Sequence, residues 1–331
     1  MKKKITLKDI AEHCDLAATT VSRILRDKPT YCSAAKIEMV KRIAKEWDYR
    51  PNIGYHIMTG RSTNIAALIF SQFRSTQDDQ TNRLYMALSK GLDLRDFASY
   101  TAVMDENMDS QLRKIRDLDE RGCRYYIFLG TPSHDEPIYA FLERQKRCYV
   151  GFDNNRVPRR IVPDRAGAYL EYHRLAAEQG MKNFRIAVTS NYFDRYILPR
   201  VDAGGREQFR RDHLLEVSPI RLKDGSSCDY YFTLGQEIME RALHEYPDIH
   251  ALAFTTDYHV FGAADVLQKK GLAGKVQLFG MRDAVASGFV KIPFTTVRFD
   301  VEYGAELILD HLSDPGKWEF VLPGKLITYN N

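Results

Sequence analysis

Thr19, Ser22 and Arg23 lie three and four residues apart in the string Ala18-Thr19-Thr20-Val21-Ser22-Arg23. On a helix that spacing puts all three on one face. A threonine can meet a thymine methyl or a base edge, and the arginine fork spans O6 and N7 of guanine. Ala18, small and at the start of the same segment, lets the backbone come close to a groove. Thr6 and Lys8 stand at the start of the preceding segment, with Lys8 placed for a phosphate. The chemistry on offer is recognition of double-stranded DNA. An ordinary three-helix domain with a solvated face is the plainer alternative.

Charge supports the nucleic-acid reading. Residues 1–61 carry 13 Lys and Arg against 7 Asp and Glu, while the other 270 residues carry 35 against 37. The excess of positive charge thus belongs to the first sixty residues, as expected of a nucleic-acid module on a near-neutral body.

The elements that must hold this face are legible. Thr6 with Asp9 three residues on reads as a helix start, and Asp15-Leu16 as its end. A second helix spans about Ala18 to Leu25, with Val21, Ile24 and Leu25 inward. Lys28-Pro29-Thr30 is a loop. Ser33 caps a third helix to about Trp47, with Ile37, Val40, Ile43, Ala44 and Trp47 at helical spacing. Two short helices about a tight turn, closed by a third, form a helix-turn-helix.

The string ITLKDIAEHCDLAATTVSRILRDKPTYCSAAKIEMVKRIAKEWDYRPN resembles the headpiece of the lactose/galactose repressor (LacI/GalR) family. Two departures stand out. Ala17 replaces the serine that usually caps the recognition helix, which costs about 1 kcal/mol. Asp15 replaces the Gly or Asn of the turn, and Asp is among the few residues that tolerate a left-handed conformation. The resemblance adds Asn52, in the family's closing Pro-Asn, to the DNA contacts. It also implies that residues 50–63 hold a hinge helix that orders in the minor groove, with Met58 where the family wedges a leucine between base steps. Gly54 weakens that helix, by up to ~1 kcal/mol. A plain flexible linker is the competing reading.

From residue 64 onward, short apolar runs alternate with helical stretches, the signature of parallel, doubly wound sheets. Strands are expected at 65–70, 100–104, 125–129, 149–152, 186–189, 251–255 and 277–280. Helices are expected near 82–96, 110–121, 135–145, 166–180, 203–212, 234–246 and 259–270. Ligands of such sheets bind beyond the carboxyl ends of the strands. That rule selects Ser71 and Phe73, Asp153, Tyr192, Asp257, and the pair Arg282-Asp283, of which Asp283 is taken as the contact. A loop or cap role is the alternative for each.

RCYVGFDN, FTTDYHVFGAADVLQKKG, VQLFGMRD and IPFTTVRFDVEYGAELILDHL are similar to the family's two-lobed, periplasmic-binding-protein-like sensor. The string VPDRAGAYL keeps only Asp164 and Gly167 of another family pattern. The expected fold is an all-α headpiece (1–49), a hinge (50–63) and an α/β sensor (64–331). The chain should cross between lobes three times. The N-lobe would take about 64–160 and 292–318, and the C-lobe about 161–291 and 319–331. The resemblance implies hydroxyl-accepting acids at Asp153 and Asp257, an anchoring Arg200, a carbohydrate-like effector, and pairing through the sensor. A homodimer also follows from recognition itself, because one short helix reads too few base pairs.

Other classes fit less well. Five cysteines, at 14, 32, 123, 148 and 228, are odd in number and contain no CxxC, which suits free thiols in a reducing compartment. No histidine cluster suggests a metal, and neither a metal nor a cofactor is expected. No apolar run reaches the ~18 residues of a membrane span, and no apolar leader follows the basic start, so the protein is expected in the cytoplasm. No GxxxxGK[ST] or GxSxG argues for an enzyme. The expectation is therefore a transcription regulator, repressor or activator, under control of a small ligand. The alternative is a cytoplasmic solute-binding or enzymatic α/β protein whose first domain binds nucleic acid without sequence preference.

Overall fold

Thr6 starts the first helix by reciprocal capping. Its hydroxyl accepts from Asp9 N at 3.3 Å, and its own N–H donates to Asp9 Oδ2 at 2.6 Å. In this computed structural model helix α1 runs Leu7–Cys14, α2 Ala18–Ile24 and α3 Ala34–Glu46. The described residues are 5–25, 29–49, 63–72, 76, 78–189, 192–201, 213–217 and 227–330. They divide into two units, at residues 1–63 and 64–331.

In the first unit Asp15 adopts φ 52°, ψ 54°, the left-handed turn between α1 and α2. Ala17 leads into α2 with no side-chain cap, so that helix depends on packing for its start. Ser33 caps α3 through Lys36 N at 3.4 Å. Ile10, Val21 and Val40, one from each helix, have no exposed surface and centre the core. Such small helices gain most of their stability from this shared burial rather than from propensity.

The second unit contains two six-stranded sheets. Strands β1 (Ile65–Phe70), β2 (Ala98–Val103), β3 (Tyr125–Leu129), β4 (Cys148–Phe152), β5 (Arg159–Pro163) and β11 (Trp318–Leu322) form the first, ordered β11-β5-β4-β3-β1-β2. Strands β6 (Phe184–Val188), β7 (Leu214–Glu216), β8 (Ala251–Ala253), β9 (Gln277–Phe279), β10 (Phe294–Phe299) and β12 (Gly324–Tyr329) form the second, ordered β12-β10-β9-β8-β6-β7. All neighbours are parallel except β10 and β12. The connecting helices are α4 (Asp79–Leu94), α5 (Met108–Glu120), α6 (Asp135–Arg144), α7 (Arg165–Glu178), α8 (Ser227–Glu245), α9 (Asp257–Lys269) and α10 (Val301–Asp310). β1 is apolar and buried along its whole length, as a strand covered on both faces must be.

The chain passes between the sheets after β5, after β10 and between β11 and β12. The crossing points expected at 161, 292 and 319 therefore move. Arg159–Pro163 and Trp318–Leu322 pair with each other and lie in the first sheet. Phe294–Phe299 pairs with β9 and β12 in the second. The reason is local: Asp164 and Asp300 each cap the helix that follows, through Gly167 N and Tyr303 N, both at 2.9 Å. A strand therefore completes its sheet before the chain turns. Most expected strands agree within two residues, and β2 begins two residues earlier than expected. The helix expected at 203–212 lies outside the described residues.

Candidate functional site

On the first unit, Thr6, Lys8, Thr19 and Arg23 are exposed, and Ala18 and Ser22 half-buried. The buried faces of α2 are Val21 and Ile24, so Thr19, Ser22 and Arg23 occupy the opposite side. Thr6 is engaged in its cap, and its hydroxyl also donates to Asp9 Oδ2 at 2.6 Å. Arg23 Nε donates to the Pro29 carbonyl at 3.1 Å, a single bond on an exposed side chain. Asn52 and Met58 lie outside the described residues.

On the second unit, a cleft of about 250 Å³ lies where the strand order reverses. Both β2 and β3 flank β1, and both β7 and β8 flank β6, so each sheet opens a crevice at its carboxyl edge there. Ser71 follows β1, Gly130 and Thr131 follow β3, Asp153 follows β4, and Tyr192 follows β6. All of them line the cleft, together with Asp78, Gln80 and Thr81 at the start of α4, Arg165 at the start of α7, Tyr231 of α8, and Arg282. Three of the seven expected effector residues are thus brought together: Ser71, Asp153 and Tyr192. Phe73 lies outside the described residues.

The other three stand elsewhere. Asp257, at the start of α9, is fully buried. It accepts from Ser287 Oγ and Thr296 Oγ1, both at 2.6 Å, and from Ala284 N at 3.0 Å. Burial pushes its carboxyl up to about 7 against those bonds. It ties α9 to the segment after β9 and to β10 and does not line the cleft. Asp283 accepts from Arg298 Nε at 2.5 Å and Tyr329 Oη at 2.7 Å, which pins β10 to β12. Arg200 donates to Glu319 Oε1 at 3.0 Å, from the second-sheet side to β11 of the first. Asp257 and Asp283 follow strands, as the sequence rule required, and Arg200 stands where the family resemblance put it, but their partners draw all three away from the opening.

Two ion pairs do face the cleft, and each joins one lobe to the other. Arg165 forks onto Asp153 through both terminal nitrogens. Arg282 Nη1 meets Asp78 Oδ2 at 2.7 Å. Burial works against the charge on Asp78 and Asp153. The Arg282 guanidinium and the Thr81 bonds outweigh it at Asp78, and Arg165 does so at Asp153, so both carboxyls titrate below the usual range. Asp79, beside Asp78, accepts from Tyr258 Oη at 3.1 Å and Val285 N at 3.0 Å across the same divide. Arg282 and Asp153 are non-glycine residues at positive φ, 85° and 55°. Such backbone is held by its surroundings and concentrates at functional sites.

Sequence reasoning missed Asp78, Gln80 and Arg165, and it chose Asp283 where Arg282 faces the opening. A signal existed for Arg165: it follows the capping Asp164 directly, at a strand-to-helix junction. Asp78 carried the weaker one of a cap three residues before Thr81.

Residues 6–52 match the model of the bacterial regulatory proteins of the lacI family. The chain is 22% identical over 327 residues to the probable HTH-type transcriptional repressor ExuR of Bacillus subtilis (strain 168), spanning 94% of this chain and 92% of that one. It is also 22% identical over 311 residues to the HTH-type transcriptional regulator GalR of Escherichia coli (strain K12), spanning 89% and 84%. Among solved structures, the lac repressor dimer bound to operator and the anti-inducer ONPF matches with a TM-score of 0.71 at 19% identity, over 98% of both chains. The complex of the transcriptional regulator CelR with cellobiose matches at 0.63 and 20% identity, again over 98% of both.

Proposed function

We propose that this chain, a member of the lactose/galactose repressor (LacI/GalR) family, is a sequence-specific transcription regulator whose affinity for an operator is set by a small carbohydrate-like effector. The observation that carries the reading is the joining, in one chain, of an exposed α2 face bearing Thr19, Ser22 and Arg23 to a polar cleft bounded by two lobes. The reading helix supplies base contacts, and Lys8 supplies a phosphate contact. Thr6, Ala18, Asn52 and Met58 complete the proposed interface. In the cleft, Ser71, Asp153 and Tyr192 are proposed contacts, with Phe73 beside them in sequence.

A ligand that prefers one arrangement of the lobes shifts the population of that arrangement, and DNA affinity with it. The effect is reciprocal and typically amounts to about 1–3 kcal/mol. The proposed route is the segment 50–63, too short to hold a helix alone. Its order would come from a second copy and from DNA.

The proposed assembly is a homodimer. Met86 and Leu94 of α4, with Val285, line one groove of the second unit, and all three are exposed, by 65%, 74% and 74%. An operator read by two copies supplies the specificity that one α2 lacks. Among the described residues no helix is long and apolar enough to cross a membrane. A cytoplasmic regulator, rather than an enzyme, is the proposed reading, and relatives that are transcription regulators support it.

The test is selection of duplex DNA from a random pool by the full chain, followed by footprinting. A two-fold-related site is expected. Retention of all sequences alike would overturn the reading in favour of non-specific binding.

A further inference from the structure

Donors and acceptors in the cleft are unevenly matched. The acceptor side is largely satisfied. Each oxygen of Asp153 accepts one bond from Arg165, and its side chain keeps 24% of its surface open. At Asp78, Oδ1 receives Thr81 N at 2.8 Å and Thr81 Oγ1 at 2.7 Å, and Oδ2 receives Arg282. The donor side is not. Arg165, 3% exposed, leaves its Nε without a partner, and so does Arg282. Thr131 Oγ1 is likewise buried and unpartnered. Arg282 spends only Nη1 on Asp78, and its side chain keeps 26% of its surface open.

Two helices also begin at this opening. α4 enters through Asp78, Gln80 and Thr81, and α7 through Arg165. Their positive ends favour negative charge. The combination differs from what a neutral polyol needs. A neutral sugar offers hydroxyls that both donate and accept, and it gains most from carboxylates left open. Here each carboxylate is already paired with an arginine, and a guanidinium edge stands open. Gln80 Oε1, buried and unpartnered, offers an acceptor suited to a hydroxyl.

We infer that the effector is a sugar derivative carrying an acid group, carboxylate or phosphate, and that Arg282 receives that group at the converging ends of α4 and α7. The inference rests on the cleft being the effector site, as proposed above. An acid group placed on the open edge of Arg282 forms charge-assisted bonds that a hydroxyl does not match. It also competes with Asp78 for the same guanidinium. The ligand would therefore act on one of the contacts that joins the lobes. Hydroxyls on the remaining skeleton reach Gln80 and Thr131. The cleft, at about 250 Å³, is below the usual range for drug-sized ligands and suits a monosaccharide.

Thermal unfolding of the full chain tests this with galacturonate, glucuronate and gluconate as carboxylates, glucose phosphate as a phosphate ester, and glucose and galactose as neutral parents. Inorganic phosphate controls for general anion effects. At least one acid is expected to raise Tm saturably, while its neutral parent does not. Which acid acts separates the carboxylate from the phosphate. Arg282→Gln is expected to weaken that ligand at least about tenfold by calorimetric titration. Arg282→Lys keeps the charge and loses the fork, and is expected to fall between. If Arg282→Gln does not fold, Arg282→Lys carries the test alone. Stabilisation by neutral sugars as strong as by acids, no stabilisation by any acid, a shift equal to that of inorganic phosphate, or unchanged affinity in the folded variants would overturn the inference. Selection of DNA by the same preparation reports on the regulator reading separately.

Discussion

Arg165, the first residue of α7, forks onto Asp153 at the end of β4, so that a charge from one lobe is neutralised by a charge from the other. The arginine side chain is 3% exposed and the aspartate 24%. Removing one partner leaves a charge in a place built for a pair. Arg165→Met and Asp153→Asn are each expected to cost about 3–5 kcal/mol in urea unfolding, and the double variant less than their sum. Additive losses would show that the two residues act independently. The pair's contribution is present above the unfolded aspartate pKa of about 3.9 and is lost as pH falls through the lower folded value.

Asp257 works in the opposite direction. Its folded carboxyl titrates near 7, above the unfolded value of about 3.9. Below both values the proton is bound in either state and the group contributes nothing. As pH rises between them, the unfolded chain ionises first and the folded state loses stability, by up to about 4 kcal/mol. Asp257→Asn removes this titration. The difference in stability between Asp257→Asn and the parent chain should shift in favour of the variant from pH 5 to pH 7. A constant difference would show that Asp257 is ionised throughout.

On the reading face, Arg23→Ala is expected to cost about 1–3 kcal/mol of operator affinity and to relax preference at one position. Lys8→Ala should weaken all sequences alike and lower the slope of affinity against salt by about 1. Binding measured across salt and across single-base operator variants distinguishes the two. Equal, uniform losses would remove α2 from the groove. The bond from Arg23 to the Pro29 carbonyl uses Nε, so a base contact through the two terminal nitrogens does not require it to break.

Ala17→Ser should restore a cap that α2 lacks. About 0.5–1 kcal/mol of added protection is expected in hydrogen exchange at Thr19 and Thr20, whose amides the new hydroxyl would reach. No change there would mean that packing alone sets the start of the helix.

Met86→Glu with Leu94→Glu tests the groove beside α4. Both side chains are exposed, so the fold should persist while the dimer dissociates in sedimentation at micromolar concentration. A dimer that survives would move the interface to another face.

Much of this was legible in the sequence because the signals were local. Thr6 with Asp9, and Ser33 before α3, declare helix starts within four residues, and Asp15 declares its turn by type. β1 and β3 are apolar runs whose ends mark the cleft. The misplacements have a different origin. Asp257 and Asp283 sit at positions that the strand-end rule selects, and Arg200 where the family resemblance put it, yet each is claimed by a partner 15 to 119 residues away in sequence. β5, β7, β10 and β11 are not among the expected strands: β7 is three residues long, and β5, β10 and β11 carry charged residues, Arg159, Arg160, Arg298 and Glu319, within their runs. Arg282 beside Asp283 shows the limit: which of two adjacent side chains faces the opening is set by a backbone at φ 85° and 49°, and nothing in the residue types announces that conformation.

The order of the crossings bears on how the chain is made. β11 and β12 finish the two sheets, yet they follow every strand they border. During synthesis both lobes wait, each with an open edge, until residues 318–329 have emerged. The core of the three helices of the first unit, by contrast, draws on residues 5–49 among the described residues. A chain stopped before residue 318 would hold every residue of the three-helix core and lack a strand of each sheet.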